Sequence, residues 1–203
     1  MANWCSTNII ISGNDTVKMR NLFDEFCKAE QEYAKSDFSF WEGKLLIHCG
    51  MTESDACLEN CRGDIVDLEL SDDGYDIYID QEDAWEPHLG PVLRMIVEFY
   101  PEALLQYEAY EPSDEICCGN KPGFENNYIV DVFEPDKVPV AFQFVSSSEP
   151  LLASCFQNLL LNEFPDKPKD TPLSELISLF EDEFGEYLSV HKCEYVDAFE
   201  FAW

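Results

Sequence analysis

Apolar positions along this chain change period several times, and each change predicts an element. Residues 3 to 12 hold Ile9, Ile10 and Ile11 and stop at Gly13-Asn14, which predicts a buried strand followed by a turn. Met19, Leu22, Phe23, Phe26 and Cys27 then recur at helical spacing, with Asn14 or Asp15 as the cap. Residues 38 to 49 read as extended chain around Glu42-Gly43, and a short helix is expected near Ser54 to Cys61. Asp64 to Leu70 and Tyr75 to Asp80 alternate, and Ser71-Asp72-Asp73-Gly74 between them is turn chemistry, so a hairpin is expected. A helix opening at Pro87 aligns Leu89, Val92, Leu93, Ile96 and Tyr100 and ends at Pro101. A strand over residues 103 to 110 follows.

The order strand, helix, strand, strand, helix, strand is the split βαβ pattern of a ferredoxin-like α+β fold, with an antiparallel sheet and helices on one face. Beyond an irregular stretch from 111 to 127, the pattern predicts strands over 128 to 133 and 140 to 145. Helices are expected near 150 to 164 and 173 to 188. The second aligns Leu173, Leu176, Ile177, Phe180, Phe184 and Leu188 behind Thr171 as cap and Pro172 in the first turn. A closing strand over 193 to 203 completes a C-terminal αβ elaboration. Two parts are therefore expected: residues 1 to 125, and an extension over 126 to 203 that could belong to the same domain.

Charge changes this picture. The 203 residues carry 42 acids against 12 bases, a formal net charge of -30. Sixteen of the acids lie between Gly63 and Asn120, with Arg94 as the one lysine or arginine there. Self-repulsion on that scale opposes compaction. The chain is nevertheless 46% hydrophobic and 14% aromatic, which excludes an acidic disordered chain and puts the acids on a packed body. Nucleic acid and anionic membranes would both be repelled, so neither is expected as a direct partner.

The nine cysteines form an odd, irregularly spaced set, which fits free thiols in a reducing cytoplasm. The first residues lack the basic and apolar regions of a signal peptide, and no run is long enough for a membrane span.

Side chains alternate along a strand, so Asp76, Tyr78 and Asp80 should face away from Ile77 and Ile79. In the first strand Ile65, Asp67 and Glu69 alternate with Asp64, Val66, Leu68 and Leu70. The hairpin therefore predicts one apolar face and one largely carboxylate face. Like charges on neighbouring strands destabilise a sheet, so such rows are held against a cost. A second group, Glu181, Asp182, Glu183 and Glu186, crowds the C-terminal half of the last helix, where the macrodipole disfavours negative charge by roughly 0.3 to 1 kcal/mol per group.

Catalytic signals are weak by comparison. His48, His88 and His191 sit in no nucleophile motif, and no phosphate-cradling glycine loop occurs. Asp80, Glu82 or Asp83 with His88 could serve a metal-dependent hydrolase, but a nearby base to stabilise developing charge is missing. His48, Cys49, Cys57 and Cys61 make a poor zinc pattern, and Asp72, Asp73 and Asp76 lack the spacing of a calcium loop. No metal or cofactor is expected.

Asn3, Trp4, Cys5, Asn8 and Gly13, followed later by Trp85, Pro87, Pro101, Glu111 and Gly119, resemble the motif series of the YubB ferredoxin-like domain proteins of bacteria, plasmids and phages. The resemblance covers about residues 1 to 125. It departs at Thr7, where the family places the Asn that follows its Asn-Trp-Cys and this chain has Asn8 instead, and in Trp85-Glu86-Pro87-His88, where the family has Trp-Ser-Pro-Pro. It implies a ferredoxin-like fold and a mobile-element origin, without an established activity.

Together these readings predict a non-enzymatic cytoplasmic binding protein. It would act as a nucleic-acid mimic and inhibit a basic nucleic-acid-binding host protein, such as a CRISPR or restriction defence nuclease. The residues expected to meet the partner are Asp64, Asp67, Glu69, Asp72, Asp73, Asp76, Asp80, Glu82, Asp83 and Glu86, with Tyr75 and Tyr78 as aromatic anchors and Glu181, Asp182, Glu183 and Glu186 as a second patch.

Overall fold

The computed structural model describes residues 4–32, 40–59, 61–111, 116–143, 145 and 150–201. The chain divides into two compact units, residues 1–121 with 196–203, and residues 122–195. In this division residues 196–203 group with the first unit. Asn3 of the resemblance lies outside the described residues.

The first unit is built on an antiparallel sheet. Strand β1 (Trp4–Ser12) runs at its centre and leads into helix α1 (Thr16–Glu32). Asp15 caps that helix, its Oδ1 accepting from the Val17 and Lys18 amides at 2.9 and 3.1 Å. A short strand β2 (Phe40–Trp41) and two short helices, α2 (Gly43–His48) and α3 (Glu53–Ala56), precede the hairpin of β3 (Asp64–Leu70) and β4 (Asp76–Ala84). Helix α4 (Gly90–Phe99) then leads to β5 (Leu104–Glu111) and β6 (Ile116–Gly119). Within this unit the strands lie in the order β6-β5-β1-β4-β3-β2.

Ile9, Ile11, Ile77, Ile79 and Tyr107 bury one sheet face against Met19, Leu22 and Phe26 of α1 and Val92, Met95 and Ile96 of α4. Burying such side chains stabilises by about 1.5 to 3 kcal/mol each, which offsets the repulsion carried outside. Residues expected as extended chain around Glu42-Gly43 instead form α2, whose Leu45 and Leu46 are buried. The irregular stretch after 111 contains β6, which the sequence pattern did not predict.

The second unit has its own core. A three-stranded sheet runs in the order β8-β7-β9, with β7 at Asn127–Val132, β8 at Leu151–Leu152 and β9 at Leu188–Lys192. Helices α5 (Ala153–Glu163) and α6 (Leu173–Phe184) enclose Val130, Phe142, Phe156, Leu160, Leu176, Phe180 and Leu188. The strand expected over 140 to 145 is a turn at 139–143, in which the Phe142 amide bonds the Pro139 carbonyl at 2.8 Å. Helix α6 ends at Gly185 rather than at Leu188, which releases Leu188–Lys192 to form β9. Thr171 does not cap α6; its hydroxyl donates to the Pro168 carbonyl at 2.7 Å.

Among the described residues no helix is long and apolar enough to cross a membrane. Cys117 is disulfide-bonded, and so is Cys193, which corrects the expectation that all nine cysteines are free thiols. Cys5 is free and fully buried, and burial pushes its thiol up to about 12. Cys57 and Cys155 are free and exposed. Iodoacetamide at about pH 8 should therefore modify Cys57 and Cys155 in the native protein and spare Cys5 until denaturant is added. Peptide mass spectrometry reads the order, and early modification of Cys5 would contradict the buried placement.

Candidate functional site

Two features of the first unit carry concentrated chemistry, one on each face of the sheet. On the solvent side, β3 and β4 pair with Asp64 opposite Glu82 and Asp67 opposite Asp80, while Glu69 stands opposite Tyr78. Directly opposed residues lie about 4.5 to 5.5 Å apart at Cβ, so these are like-charge cross-strand pairs. On the other side of β4, Asp80 meets Asn8 and Glu82 meets Ser6 of β1, neutral polar residues that leave the charge uncompensated. The next carboxylate across the face, Glu108 of β5, is held by Lys121 at 2.7 Å and is neutralised there.

The hairpin does not follow strict alternation. Its register shifts between Ile65 and Asp67, so Val66 has no partner on β4 and both Val66 and Asp67 point to solvent. That bulge places Asp67 and Glu69 outside with Asp64, and Leu68 and Leu70 inside with Ile65. The expected grouping of Ile65 with Asp67 and Glu69 is corrected accordingly.

The turn between the strands uses its acids locally. Asp73 accepts from the Ser71 hydroxyl at 2.8 Å and the Tyr75 amide at 3.2 Å, and these bonds lower its pKa. Asp76 accepts from the Ser12 hydroxyl at 2.6 Å. Asp72 is exposed, as are Tyr75, Tyr78 and Glu86. Asp83 is the exception among the residues expected on this face: it is 2% exposed and belongs to the opposite side, following Ile77, Ile79 and Gln81 in the period-two series. Glu181, Asp182, Glu183 and Glu186 are exposed at the end of α6, in the second unit.

The inner face turns polar toward one end of the sheet. Glu42, which precedes α2, is completely buried, and Gln81 and Asp83 of β4 are 1% and 2% exposed. The Glu42 carboxylate accepts from the Gly63 amide at 3.0 Å and from Gln81 Nε2 at 3.2 Å, and it meets His88 Nδ1 at 3.0 Å. Asp83 accepts from Gln81 Nε2 at 2.8 and 3.0 Å and from the His88 amide at 3.1 Å. Cys61 completes the group: its Sγ, a Glu42 oxygen and a His88 ring nitrogen all lie within 4.8 Å of one another.

Each member is held by backbone that the sequence makes possible. The Glu42 amide bonds the Gly63 carbonyl at 3.2 Å while the Glu42 side chain takes the Gly63 amide, so the two segments lock reciprocally. Trp41 Nε1 donates to the Cys61 carbonyl at 3.0 Å and fixes the approach to Gly63. Trp85 sits at a φ of 75°, the left-handed region that costs a bulky residue about 1 to 3 kcal/mol. It lies in the reversal that returns the His88 amide to Asp83. Above this end opens a cleft of about 140 Å³, lined among others by Arg62, Asp83, Trp85, Pro87 and His88, with the Arg62 guanidinium 4.8 Å from the Trp85 ring centre.

The electrostatics follow from burial. Desolvation, with the Glu42 charge beside it, pushes Asp83 up to about 7. Burial lowers the pKa of His88, but its bond to Glu42 and the surrounding carboxylates outweigh this and raise it. Desolvation and Glu42 push the Cys61 thiol up to about 12.

Of the sequence candidates, Asp83 and His88 do come together, whereas Asp80 and Glu82 lie on the other face. His48 is engaged by Glu25 at 2.8 Å and Cys49 by Met95 at 3.4 Å, so the group His48, Cys49, Cys57 and Cys61 does not assemble. Glu42 and Gln81 were missed as site residues. No family model, curated protein or solved structure matches the chain.

Proposed function

We propose that this chain is an acidic, non-enzymatic binding protein whose hairpin face occupies the cationic groove of a nucleic-acid-binding protein and displaces the nucleic acid. The register carries this reading: Asp64 with Glu82 and Asp67 with Asp80 stand in opposed rows on the solvent side. Alternate residues on a strand are roughly 6.5 to 7 Å apart and neighbouring strands about 4.8 Å, so the rows offer lysine and arginine a grid of anionic sites. Stability alone would have separated those charges. Tyr75 and Tyr78 supply flat, half-exposed contacts beside them. Association would be fast and sensitive to salt.

The first unit reads as a ferredoxin-like domain. In the described strands, β5-β1-β4-β3 with α1 and α4 follows the split βαβ order, which supports this reading. The likeness to the YubB series and a mobile-element origin point to a host defence nuclease, of the CRISPR or restriction type, as the partner.

The test uses a basic nuclease of that class with a labelled duplex. The wild-type chain should displace the duplex at low salt and lose its hold at about 0.5 M salt, where the Debye length falls below 5 Å. The triple variant Asp67→Lys, Asp80→Lys, Glu82→Lys should lose at least about 100-fold in competition, since like-charge juxtaposition costs several kcal/mol. Undiminished competition by that variant, with its circular dichroism unchanged, would remove the hairpin face from the mechanism.

A further inference from the structure

We infer that Glu42, Cys61 and His88 form a binding site for one divalent transition-metal ion of the zinc type, which goes beyond the acidic-face reading and does not depend on it. The three donors come from separate segments, yet their ligand atoms lie within 4.8 Å of one another. A carboxylate oxygen, a thiolate sulfur and an imidazole nitrogen form the donor set that Zn²⁺ takes, at about 2.0 to 2.3 Å. Magnesium and calcium prefer all-oxygen sites, so the sulfur and nitrogen select against them.

A second observation comes from the donors and acceptors around the cluster. Glu42 and Asp83 bring four carboxylate oxygens into a space where Glu42 is 0% and Asp83 2% exposed. Glu42 has His88 as its charge partner, and among the described residues no lysine or arginine forms an ion pair with either carboxylate. Gln81 Nε2, with two hydrogens, faces Glu42, both oxygens of Asp83 and the His88 carbonyl at 2.8 to 3.2 Å. On the same amide, Gln81 Oε1 is buried and takes no hydrogen bond, the one such side-chain atom among the described residues. Acceptors outnumber donors around the cluster, and a bound dication answers that deficit.

The surroundings fit a held ion. Gly63 and Gln81 hydrogen-bond the Glu42 carboxylate, as the outer partners of a ligating carboxylate do, and Asp83 bonds the His88 backbone. On loading, the thiol proton of Cys61 and any proton on the ligating ring nitrogen of His88 leave to solvent as the metal takes their place. His88 and Asp83 also line the cleft, which gives an ion a route in.

Titration of the full chain with Co²⁺, in a large excess of Mg²⁺ to occupy the acidic surface, tests the site. One equivalent should bind and produce the near-ultraviolet thiolate-to-cobalt band, and Zn²⁺ should displace it. Cys61→Ser, close in size to the native residue, should abolish that band, while Cys57→Ala should leave it intact. His88→Gln should weaken Co²⁺ binding at least about 100-fold, the upper end of what losing an outer partner produces. A wild-type chain that gives no sulfur band, or a band that survives in Cys61→Ser, would overturn the assignment. Binding of Co²⁺ that Mg²⁺ abolishes would also overturn it, by placing the metal on the exposed acids.

Discussion

Replacing Gly63 with alanine should lower the melting temperature by roughly 6 to 12 °C, corresponding to about 3 kcal/mol or more. A Cβ at this position would overlap the Asp83 carboxylate and stand 2.8 Å from the Glu82 carbonyl oxygen. Neither neighbour can yield cheaply. Asp83 is anchored by Gln81 and by the His88 amide, and the Glu82 carbonyl belongs to the backbone of β4. Moving Gly63 instead breaks both of its bonds to Glu42, at 3.0 and 3.2 Å, and would leave a buried carboxylate short of a donor. Asp83→Ala in the same chain removes the nearer obstacle and should recover part of the loss. Thermal unfolding followed by circular dichroism decides this, and a shift under about 2 °C would show that the close approach is not rigid.

Acidifying the metal-free protein from about pH 8 to pH 5 should raise its stability by roughly 2 to 3 kcal/mol. The folded chain keeps a proton on Asp83 up to about pH 7, whereas an unfolded aspartate has released it above its ordinary value of 3.8. Folding therefore takes up a proton in that window, and stability falls as pH rises through it. His88 acts in the same direction, because its pKa is raised on folding and its bond to Glu42 weakens as pH rises. Lower down, the trend reverses. Glu25, whose pKa is lowered by Lys28 and then by His48, and Asp73, lowered by Ser71, lose their bonds on protonation. Urea midpoints across this range, with chelator present, measure the slope. Asp83→Asn should flatten most of it, and an equal slope in that variant would assign the effect to the general charge of -30 instead.

The repeating elements were legible in the sequence where one period dominated. Strand β1, helix α1 and the hairpin follow from Ile9 to Ile11, from Met19 to Cys27 and from Ser71 to Gly74, because each has an apolar face and a turn or cap at its boundary. Elements with conflicting signals were misread. Val140 to Val145 is a short apolar run of the length of a buried strand, but Pro139 begins a turn and Phe142 is drawn into the second core. Leu188 continues the spacing of α6, which hid both the helix end at Gly185 and the strand beyond it.

The polar cluster was less visible still. Glu42, Cys61 and His88 are separated by 19 and 27 positions, so no spacing rule joins them; the sheet and the Gly63 lock do. Glu42 beside a glycine looks like any surface loop acid, and Asp83 follows two exposed acids in a charged run. One signal was available: continuing the inward series from Ile77 and Ile79 leads to Gln81 and Asp83, which predicts buried polar groups.

The bulge at Val66 has a consequence for how this protein can change length. A strand paired without slack inverts every later side chain when one residue is gained or lost. Here the unpaired place at Val66 is already surplus, so removing either outward residue, Val66 or Asp67, leaves Leu68, Glu69 and Leu70 facing as they do now. Strand β4, paired residue by residue to β1 from Asp76 to Ala84, has no such allowance. Loss of one residue from β3 can thus be absorbed at the bulge, which lets that strand shorten by one place while Gln81 and Asp83 stay turned toward the interior.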